Sequence, residues 1–455
     1  MSVKFISILT ILIILTVLLF RKKLILPYTA IGTFFICHIL FILIGLIIIP
    51  WTKEVIFREE IFFSGLNLII IRDETIIKTF LIIVSGLILV LISYSIGNLV
   101  LKKSPLYIHK GIFNNSKIEK PSIFQIKKLR ILLTFFISVS MIQLIPHISV
   151  ILEAIFGSNP HNQLNARRVV TSNYLLTISI YNIIPFLTST YFGYYLLLEK
   201  KSIYDKMRML TYNSFTILLL LLVFQKRPLI LFLLSLMVIY SIIKHPTIMY
   251  RVKSSALYQK IKKRLRLIIA SGGLFVILFF LYITSTNYIN STDNPFELIT
   301  TIVLVVASRI IGRLSMPAIM YVHYFPSIED FYLFSNIGLF SKVFQTDLFP
   351  DSKVVYEYFV GEDNGSLAAS AIIDFYGGFG ILGVAIGCLV LGLLLRYVDY
   401  IFENMRPNIT NKVLQVYLLI SVFYLSQASL PRTMMGYGAI FFIIFWFILS
   451  RRFKW

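Results

Sequence analysis

Apolar runs of about twenty residues recur from one end of this chain to the other. They restrict its possible folds more than any other feature. As a helix, a run of this length crosses the ~30 Å hydrocarbon core of a bilayer with its backbone hydrogen bonds satisfied internally. Hydrophobic residues make up 58% of the 455 residues and charged residues only 14%, against roughly 25% charged residues in soluble domains. We therefore expect an all-α polytopic membrane protein, with residues 1–455 forming a single membrane domain.

The pattern predicts eleven membrane-spanning helices. The first run, KFISILTILIILTVLLF, has no small-residue cleavage site and is followed directly by Arg21, Lys22 and Lys23, so it is expected to be a retained span rather than a signal peptide. Cys37 and Cys388 fall within predicted spans and indicate neither a disulfide framework nor a metal cluster. The predicted spans are residues 4–20, 24–50, 75–100, 131–152, 174–198, 211–224, 229–243, 267–288, 378–395, 413–430 and 436–449.

The segments between these spans alternate in charge, and this alternation predicts the orientation. One set contains 29 Lys and Arg with five acidic residues, whereas the rest of the chain contains 14 basic and 16 acidic residues. Because basic residues beside spans are retained in the cytoplasm, the first set is expected inside, with the amino terminus outside and the carboxyl terminus cytoplasmic. Basic segments beside spans contact anionic membrane lipids, so no nucleic-acid partner is expected. The basic set comprises residues 21–23, 101–130, 199–209, 244–266, 396–412 and 450–455.

One long external loop, residues 289–377, carries ten acidic residues. Loops of this length usually have a function. The loop begins with an apolar stretch, FELITTIVLVVASRIIGRLSMPAIMYVHYF, which we expect to lie on or dip into the outer face of the membrane. A twelfth span there would place the acidic remainder inside and break the charge pattern.

Arginines at span ends form a candidate anion site. Arg309 and Arg313 lie one helical turn apart on one face, and two guanidinium groups so placed suit bidentate capture of a phosphate or pyrophosphate. Snorkelling to lipid headgroups, or pairing with the loop's own carboxylates, is the alternative interpretation. The further external candidates are Arg167, Arg168, Arg227 and Arg432, together with His161 in the polar segment 158–174, whose asparagines suit sugar hydroxyls.

Two side chains near the predicted anion site could accept a proton, namely His323 and Asp374. An imidazole is available in its neutral form near pH 7. The chain has no Walker, H-E-x-x-H, G-x-S-x-G or D-x-D motif and no paired Cys/His cluster. Nucleotide chemistry, a metal site and a cofactor are therefore not expected. Around Asp374 the chain is rich in glycine, and Gly383 and Gly387 are spaced for close packing against a neighbouring helix.

With these segments placed, the chain resembles the bacterial oligosaccharide repeat-unit polymerases, the Wzy-type proteins of O-antigen and capsule assembly. The resemblance rests on the many-span layout with one long, late external loop, and on the sequence GSLAASAIIDFYGGFGILGVAIG leading into the next span. It also rests on QKRPLILFLL, in which Arg227 and Leu231 look like an Arg-x-x-x-Leu element of polymerases and ligases. The Arg-x10-Gly and His-x10-Gly patterns of some family members have no counterpart around Arg167, Arg168, His161 or His323.

The resemblance implies a metal-independent, inverting glycosyltransferase of the GT-C type in the bacterial cytoplasmic membrane. Its expected substrates are undecaprenyl-pyrophosphate-linked glycans, with a flippase and a chain-length regulator as possible partner proteins. Arginines would take the electrostatic role usually given to Mg²⁺, and a carboxylate or imidazole would accept the proton of the acceptor hydroxyl. Two alternatives stay open: an O-antigen ligase-like transferase, and a flippase or transporter for lipid-linked sugar. A two-fold hydropathy repeat between the halves of the chain would favour transport.

Overall fold

The computed structural model is helical throughout the residues it describes, apart from loops and an isolated backbone bridge between Glu119 and Asn408. The described residues are 29–46, 49, 72–104, 118–156, 161–224, 226–244, 315–333, 335–336, 341–342, 345, 347–361 and 365–450. The helices with defined bounds, in chain order, are α1 (Ala30–His38), α2 (Asp73–Val100), α3 (Ile123–Leu144), α4 (Ile148–Phe156), α5 (His161–Ser172), α6 (Tyr174–Ile178), α7 (Ile184–Leu197), α8 (Ile203–Leu222), α9 (Lys226–Lys244), α10 (Asp351–Val360), α11 (Ala371–Asn404), α12 (Ile409–Tyr424), α13 (Leu430–Met435) and α14 (Ala439–Ser450).

The prediction of an all-helical chain with several apolar helices is confirmed for the residues that the structure describes. Among the described residues, five helical stretches are long and apolar enough to cross a bilayer, and three shorter stretches are also apolar. The count of eleven spans and their orientation stay predictions, and the predicted spans 4–20 and 267–288 lie outside the described residues. The five long stretches are Asp73–Val100, Ile123–Phe156, Tyr174–Leu197, Ala371–Asn404 and Leu430–Ser450; the shorter ones are Ala30–Leu46, Arg227–Ile243 and Ile409–Tyr424.

The chain forms two compact units. Unit 1 comprises residues 1–111, 300–405 and 418–437, and unit 2 comprises residues 112–299, 406–417 and 438–455. Unit 1 therefore contains most of the long external loop predicted from the sequence, and unit 2 contains the polar segment 158–174.

Unit 1 is built on the parallel pair α2 and α11. Where they pack, Gly392 of α11 lies against the backbone of α2, and a Cβ at this position would approach the carbonyl oxygen of Val90 to 2.4 Å. The Ser93 hydroxyl of α2 donates to the Leu389 carbonyl near the same point. Because a glycine at the crossing allows backbone contact, the two helices gain dispersion and interhelical hydrogen bonding, which are the main sources of helix association in lipid.

A buried carboxylate joins α1 to this pair. Asp399 of α11 accepts hydrogen bonds from the backbone N–H of Ala30 at 2.7 Å and from the Tyr94 hydroxyl of α2 at 2.9 Å. The first N–H groups of a helix have no intrahelical acceptor, and a carboxylate there satisfies them and favours the helix dipole. Next to it, the buried Arg396 pairs with Glu403 at 3.2 Å. This polar cluster fixes the carboxyl-terminal part of α11 against two neighbours.

Unit 2 is centred on α7, whose polar residues meet neighbouring helices through hydroxyl pairs. Ser189 lies 2.9 Å from the Tyr417 hydroxyl of α12, and Tyr194 lies 2.7 Å from Thr410 of the same helix. Each such bond contributes on the order of 0.6 kcal/mol in membrane proteins. A π-helical turn at Ser179–Ile183 precedes α7. It is explained by Pro185, which lacks the N–H that would complete the regular helical bonding pattern.

Two sequence expectations need correction. The polar segment 158–174 lies between two predicted spans and no helix was predicted there, but residues His161–Ser172 form helix α5. The expected packing role of Gly383 and Gly387 is also different, because the atoms nearest to both glycines belong to Phe375 of the same helix. The cause is a break inside α11, where Gly380 has φ +64° and ψ −145°. Only glycine adopts this conformation readily, and the bend folds the Phe375 side chain over the following turn.

Candidate functional site

Asp374, one of the two predicted proton acceptors, lies in the first turn of α11 in unit 1. Its side chain is buried, with 8% of the residue exposed. The Tyr332 hydroxyl lies 2.9 Å from Oδ1 and 2.7 Å from the backbone carbonyl of Asp374, and the Asn336 amide donates to Oδ1 at 3.1 Å. Two neutral donors therefore fix the orientation of a carboxyl group that is largely withdrawn from water.

The break in α11 brings Tyr332 to this carboxyl. Gly377 and Gly378 lie just before the break, and their carbonyls accept hydrogen bonds from the N–H groups of Tyr332 at 3.2 Å and Leu333 at 2.9 Å. A side chain at Gly377 would meet the Tyr332 ring at 2.7 Å. The glycines therefore let the 331–333 segment lie directly on the helix end and place the phenol over Asp374.

A second carboxyl, Asp351 at the start of α10, belongs to the same cluster. The Tyr321 hydroxyl lies 2.6 Å from its Oδ2 and 3.1 Å from the carbonyl of Leu367. Burial raises the pKa of Asp351, against the hydrogen bond from Tyr321 and the charge of Arg432, which lower it. The pKa values of the two tyrosine hydroxyls, Tyr321 and Tyr332, are raised well above the usual value by burial and by the nearby carboxyls. Both phenols therefore remain hydrogen-bond donors.

Arg432, predicted as an anion contact, lies beside these carboxyls. It is held in α13, which begins at the Ser429 cap, and its Nη2 donates to the Ser352 hydroxyl at 3.2 Å. The side chain is exposed, yet its charge acts on both Asp351 and Asp374. The charge of an exposed guanidinium thus acts on one buried and one half-buried acid, which is an arrangement that can hold an anion near a proton acceptor.

His323, the other predicted proton acceptor, lies in the helical segment 315–324 of the same unit. It is half-buried, and its ring centroid is 5.8 Å from that of Phe359. Burial, and secondarily the charge of Arg72, lower its pKa below the usual 6.5. The imidazole is therefore neutral at pH 7 and able to accept a proton. Asp374 is the better candidate because it has the donors and the nearby arginine described above.

The remaining predicted residues that the structure describes lie in unit 2. Arg167 and Arg168 are exposed on α5, and Arg227 is exposed in the first turn of α9. Arg168 lines an open cleft of about 430 Å³ between α4 and α5. In this cleft the Asn162 amide donates to Glu153 at 3.2 Å. The other lining residues are Asn165, Val150 and Val169. His161 begins α5, while Arg309 and Arg313 lie outside the described residues.

Sequence reasoning missed most of the cluster around Asp374, namely Tyr321, Tyr332, Asn336, Asp351 and Ser352. Asp351 lies in the sequence FPDSK, which indicates a turn and gives no sign of burial. The pairs are also distant in sequence, since Tyr332 and Asp374 are 42 residues apart. A possible signal was the concentration of tyrosines in an external loop that also carries acidic residues.

No protein-family model, no curated protein and no solved structure matches this chain. The chemistry of the site therefore rests on its own residues. The cluster offers a buried carboxyl that can take a proton, a second carboxyl whose charge opposes ionisation of the first, two phenolic donors and one exposed guanidinium.

Proposed function

We propose that this chain is a membrane glycosyltransferase that polymerises lipid-pyrophosphate-linked oligosaccharide repeat units on the outer face of the bacterial cytoplasmic membrane. The observation that carries the proposal is the buried Asp374 carboxyl, oriented by Tyr332 and Asn336 beside the exposed Arg432. A group of this kind suits a reaction in which a hydroxyl loses a proton while an anionic leaving group departs.

The proposed step transfers one glycan to one hydroxyl. The acceptor sugar oxygen attacks the anomeric carbon of the donor glycan, and its proton passes to the Asp374 carboxylate. The bond between that carbon and the pyrophosphate oxygen breaks on the opposite face, which inverts the configuration. The electron pair leaves with the lipid pyrophosphate, whose additional negative charge is stabilised by the Arg432 guanidinium.

In this proposal the cleft of unit 2 binds sugar. Asn162 and Asn165 supply amide donors and acceptors, Glu153 is an acceptor and Arg168 a forked donor. Planar polar groups of these types can each bond two neighbouring hydroxyls, and the Val150 and Val169 methyls offer an apolar surface for a sugar ring.

Complementation tests the proposal. A strain lacking this chain is supplied with each variant, and the length of its cell-surface polysaccharide is read on a gel. Asp374→Asn is expected to give single repeat units only, and Arg432→Ala to reduce polymer by about 10² because a charge contact to the leaving group is lost. The matched controls are Asp330→Asn and Lys353→Ala, which change exposed charges of the same unit. A full ladder from Asp374→Asn at normal protein level would refute the assignment of this residue.

A transporter of lipid-linked glycan is the second candidate, and the break in α11 favours it. Discontinuous helices line the binding sites of many transporters, and this break lies five to six residues from Asp374. Proteoliposomes distinguish the two functions when the lipid-linked substrate is placed in the outer leaflet alone. A polymerase elongates it there, whereas a transporter moves it across without forming longer products. A ligase would instead transfer the glycan to a different acceptor, which mass spectrometry of the product would reveal.

A further inference from the structure

Lys78 of α2 lies against the part of α11 that carries Asp374. Its Nζ is 5.2 Å from the centroid of the Tyr376 ring, and Tyr376 follows Asp374 by two residues. The ring is fixed, since its hydroxyl donates to the Phe325 carbonyl at 3.3 Å and it packs in a T-shaped arrangement with Phe331, the centroids being 5.7 Å apart. Lys78 itself is exposed. Its ammonium group therefore lies against a fixed, buried ring while the residue stays exposed at the surface of unit 1.

The packing of the two helices places Lys78 at the same end of unit 1 as Arg432. Helices α2 and α11 run parallel, as the contacts of Gly86 with Cys388 and of Gly392 with Val90 show. The beginnings of both helices consequently share one end. Arg432 acts electrostatically on Asp374 at that end. Two exposed cations of different geometry, Lys78 and Arg432, thus lie at one end of unit 1.

We propose that Lys78 is a second cationic contact for the pyrophosphate of the lipid-linked substrate, positioned by the Tyr376 ring. This inference rests on the proposed function. A pyrophosphate has two phosphoryl groups, and one guanidinium fork can engage only the oxygens on one side of it. A compact ammonium with three donors suits the second phosphoryl group. The cation–π contact keeps the lysine side chain from extending to the headgroup layer, so less conformational freedom is lost on binding.

A binding measurement with the full-length chain in nanodiscs tests the inference. The probe is undecaprenyl pyrophosphate in zwitterionic lipid, and undecaprenol is the control without the anionic group. Lys78→Gln is expected to raise the Kd for undecaprenyl pyrophosphate about tenfold, which corresponds to about 1.4 kcal/mol of binding free energy. Lys78→Arg retains the charge and is expected to stay within about threefold of the wild type. Lys353→Ala, an exposed cation of the same unit, is expected to leave the Kd unchanged.

Further arms of the experiment separate the possible failures. If folded Lys78→Gln binds the probe as tightly as the wild type while Asp374→Asn still blocks polymerisation, this inference is wrong and the proposed function stands. If the wild type does not bind undecaprenyl pyrophosphate at all, both are wrong. If phosphatidylglycerol displaces the probe from the wild type but not from Lys78→Gln, Lys78 is a general headgroup contact, and the inference is overturned. Should Lys78→Gln fail to fold, Lys78→His takes its place. A higher Kd of this variant at pH 8 than at pH 5.5 supports the inference, and equal values refute it.

Discussion

At the scale of single residues, the central feature is a carboxyl group whose surroundings come from distant parts of the chain. Asp374 could be identified from the sequence because it begins a glycine-rich apolar helix, where an acid is unusual. Its partners could not, since Tyr332 and Asn336 belong to an irregular segment whose path depends on the break at Gly380. Local patterns predict which residues start a helix, but they do not predict which loop covers it.

Removing the Tyr332 hydroxyl tests how much this orientation matters. Tyr332→Phe keeps the ring packing but loses one of the two donors to Asp374, so the carboxyl is held by Asn336 alone and turns more easily. We expect polymer formation to fall by one to two orders of magnitude, which is about what a misplacement of 1 Å costs, with a loss of about 1 kcal/mol in stability. Polysaccharide length and thermal melting of the purified protein check the two effects. Tyr358→Phe, at a more exposed tyrosine of the same unit, is the control, and equal activity of both variants would contradict the prediction.

The half-buried carboxyl of Asp351 predicts a pH dependence of stability. Because its pKa in the folded protein is raised above the usual 3.8, the folded state holds this proton to a higher pH than the unfolded state does. The contribution to stability is fully present below about pH 3.8 and is lost as the pH rises through the folded pKa. Asp351→Asn removes this loss and keeps an acceptor for the Tyr321 hydroxyl.

Melting temperatures in detergent between pH 4 and pH 8 measure this effect as a difference between two proteins. We expect the melting temperature of Asp351→Asn, minus that of the wild type, to increase as the pH increases. The effect of His323 on stability has the opposite sign. Because its pKa is lowered in the folded protein, its contribution to stability is lost as the pH falls below 6.5. It is common to both proteins and cancels in the comparison. Parallel curves for the two proteins would show that Asp351 ionises as freely in the folded state as in the unfolded chain.

At the scale of helices, the apolar runs of the sequence predicted the position of an apolar helix well, whereas a polar helix was not predicted. The run 75–100 corresponds to α2, Asp73–Val100, with the same last residue. Helix α5, in contrast, has a polar composition, so the search for apolar runs gave no reason to expect it. The glycines show the same limit, because spacing alone did not distinguish Gly392, which contacts a neighbouring helix, from Gly383 and Gly387, which lie against their own.

The contact of α2 with α11 predicts that Gly392→Ala destabilises unit 1. The added methyl group would lie 2.4 Å from the carbonyl oxygen of Val90, and a backbone atom cannot move aside as a flexible side chain can. We expect a cost of 1–3 kcal/mol, which is typical of overpacking, seen as a lower melting temperature and less protein in the membrane. Val390→Ile adds a methyl group at an exposed position of the same helix and is expected to have no effect. If the two variants melt alike, the helices are not in backbone contact at Gly392.

At the scale of the whole molecule, the distribution of charged residues predicts the orientation of the helices in the membrane. The structure identifies exposed positions at which this orientation can be tested. The expected orientation places the Asp374 cluster outside and the buried pair of Arg396 and Glu403 toward the cytoplasm. The parallel arrangement of α2 and α11 in unit 1 fits one requirement of this orientation, since both are predicted to run from outside to inside. Both cysteines are buried, so replacing them with alanine gives a background for labelling.

Labelling of single cysteines then predicts a clear asymmetry between the two ends of α2 and α11. Lys353→Cys lies on α10 near the Asp374 cluster, and Lys103→Cys follows the end of α2; both positions are exposed. A membrane-impermeant maleimide added to intact spheroplasts is expected to modify Lys353→Cys within minutes and to leave Lys103→Cys unmodified until the membrane is opened by detergent. The physical reason is that the segment after α2 carries the basic residues that are retained in the cytoplasm.

The opposite pattern would place Asp374 and Arg432 on the cytoplasmic face, where a polymer destined for the cell surface could not be assembled. Rapid labelling of both positions in sealed spheroplasts would mean that α2 does not cross the membrane.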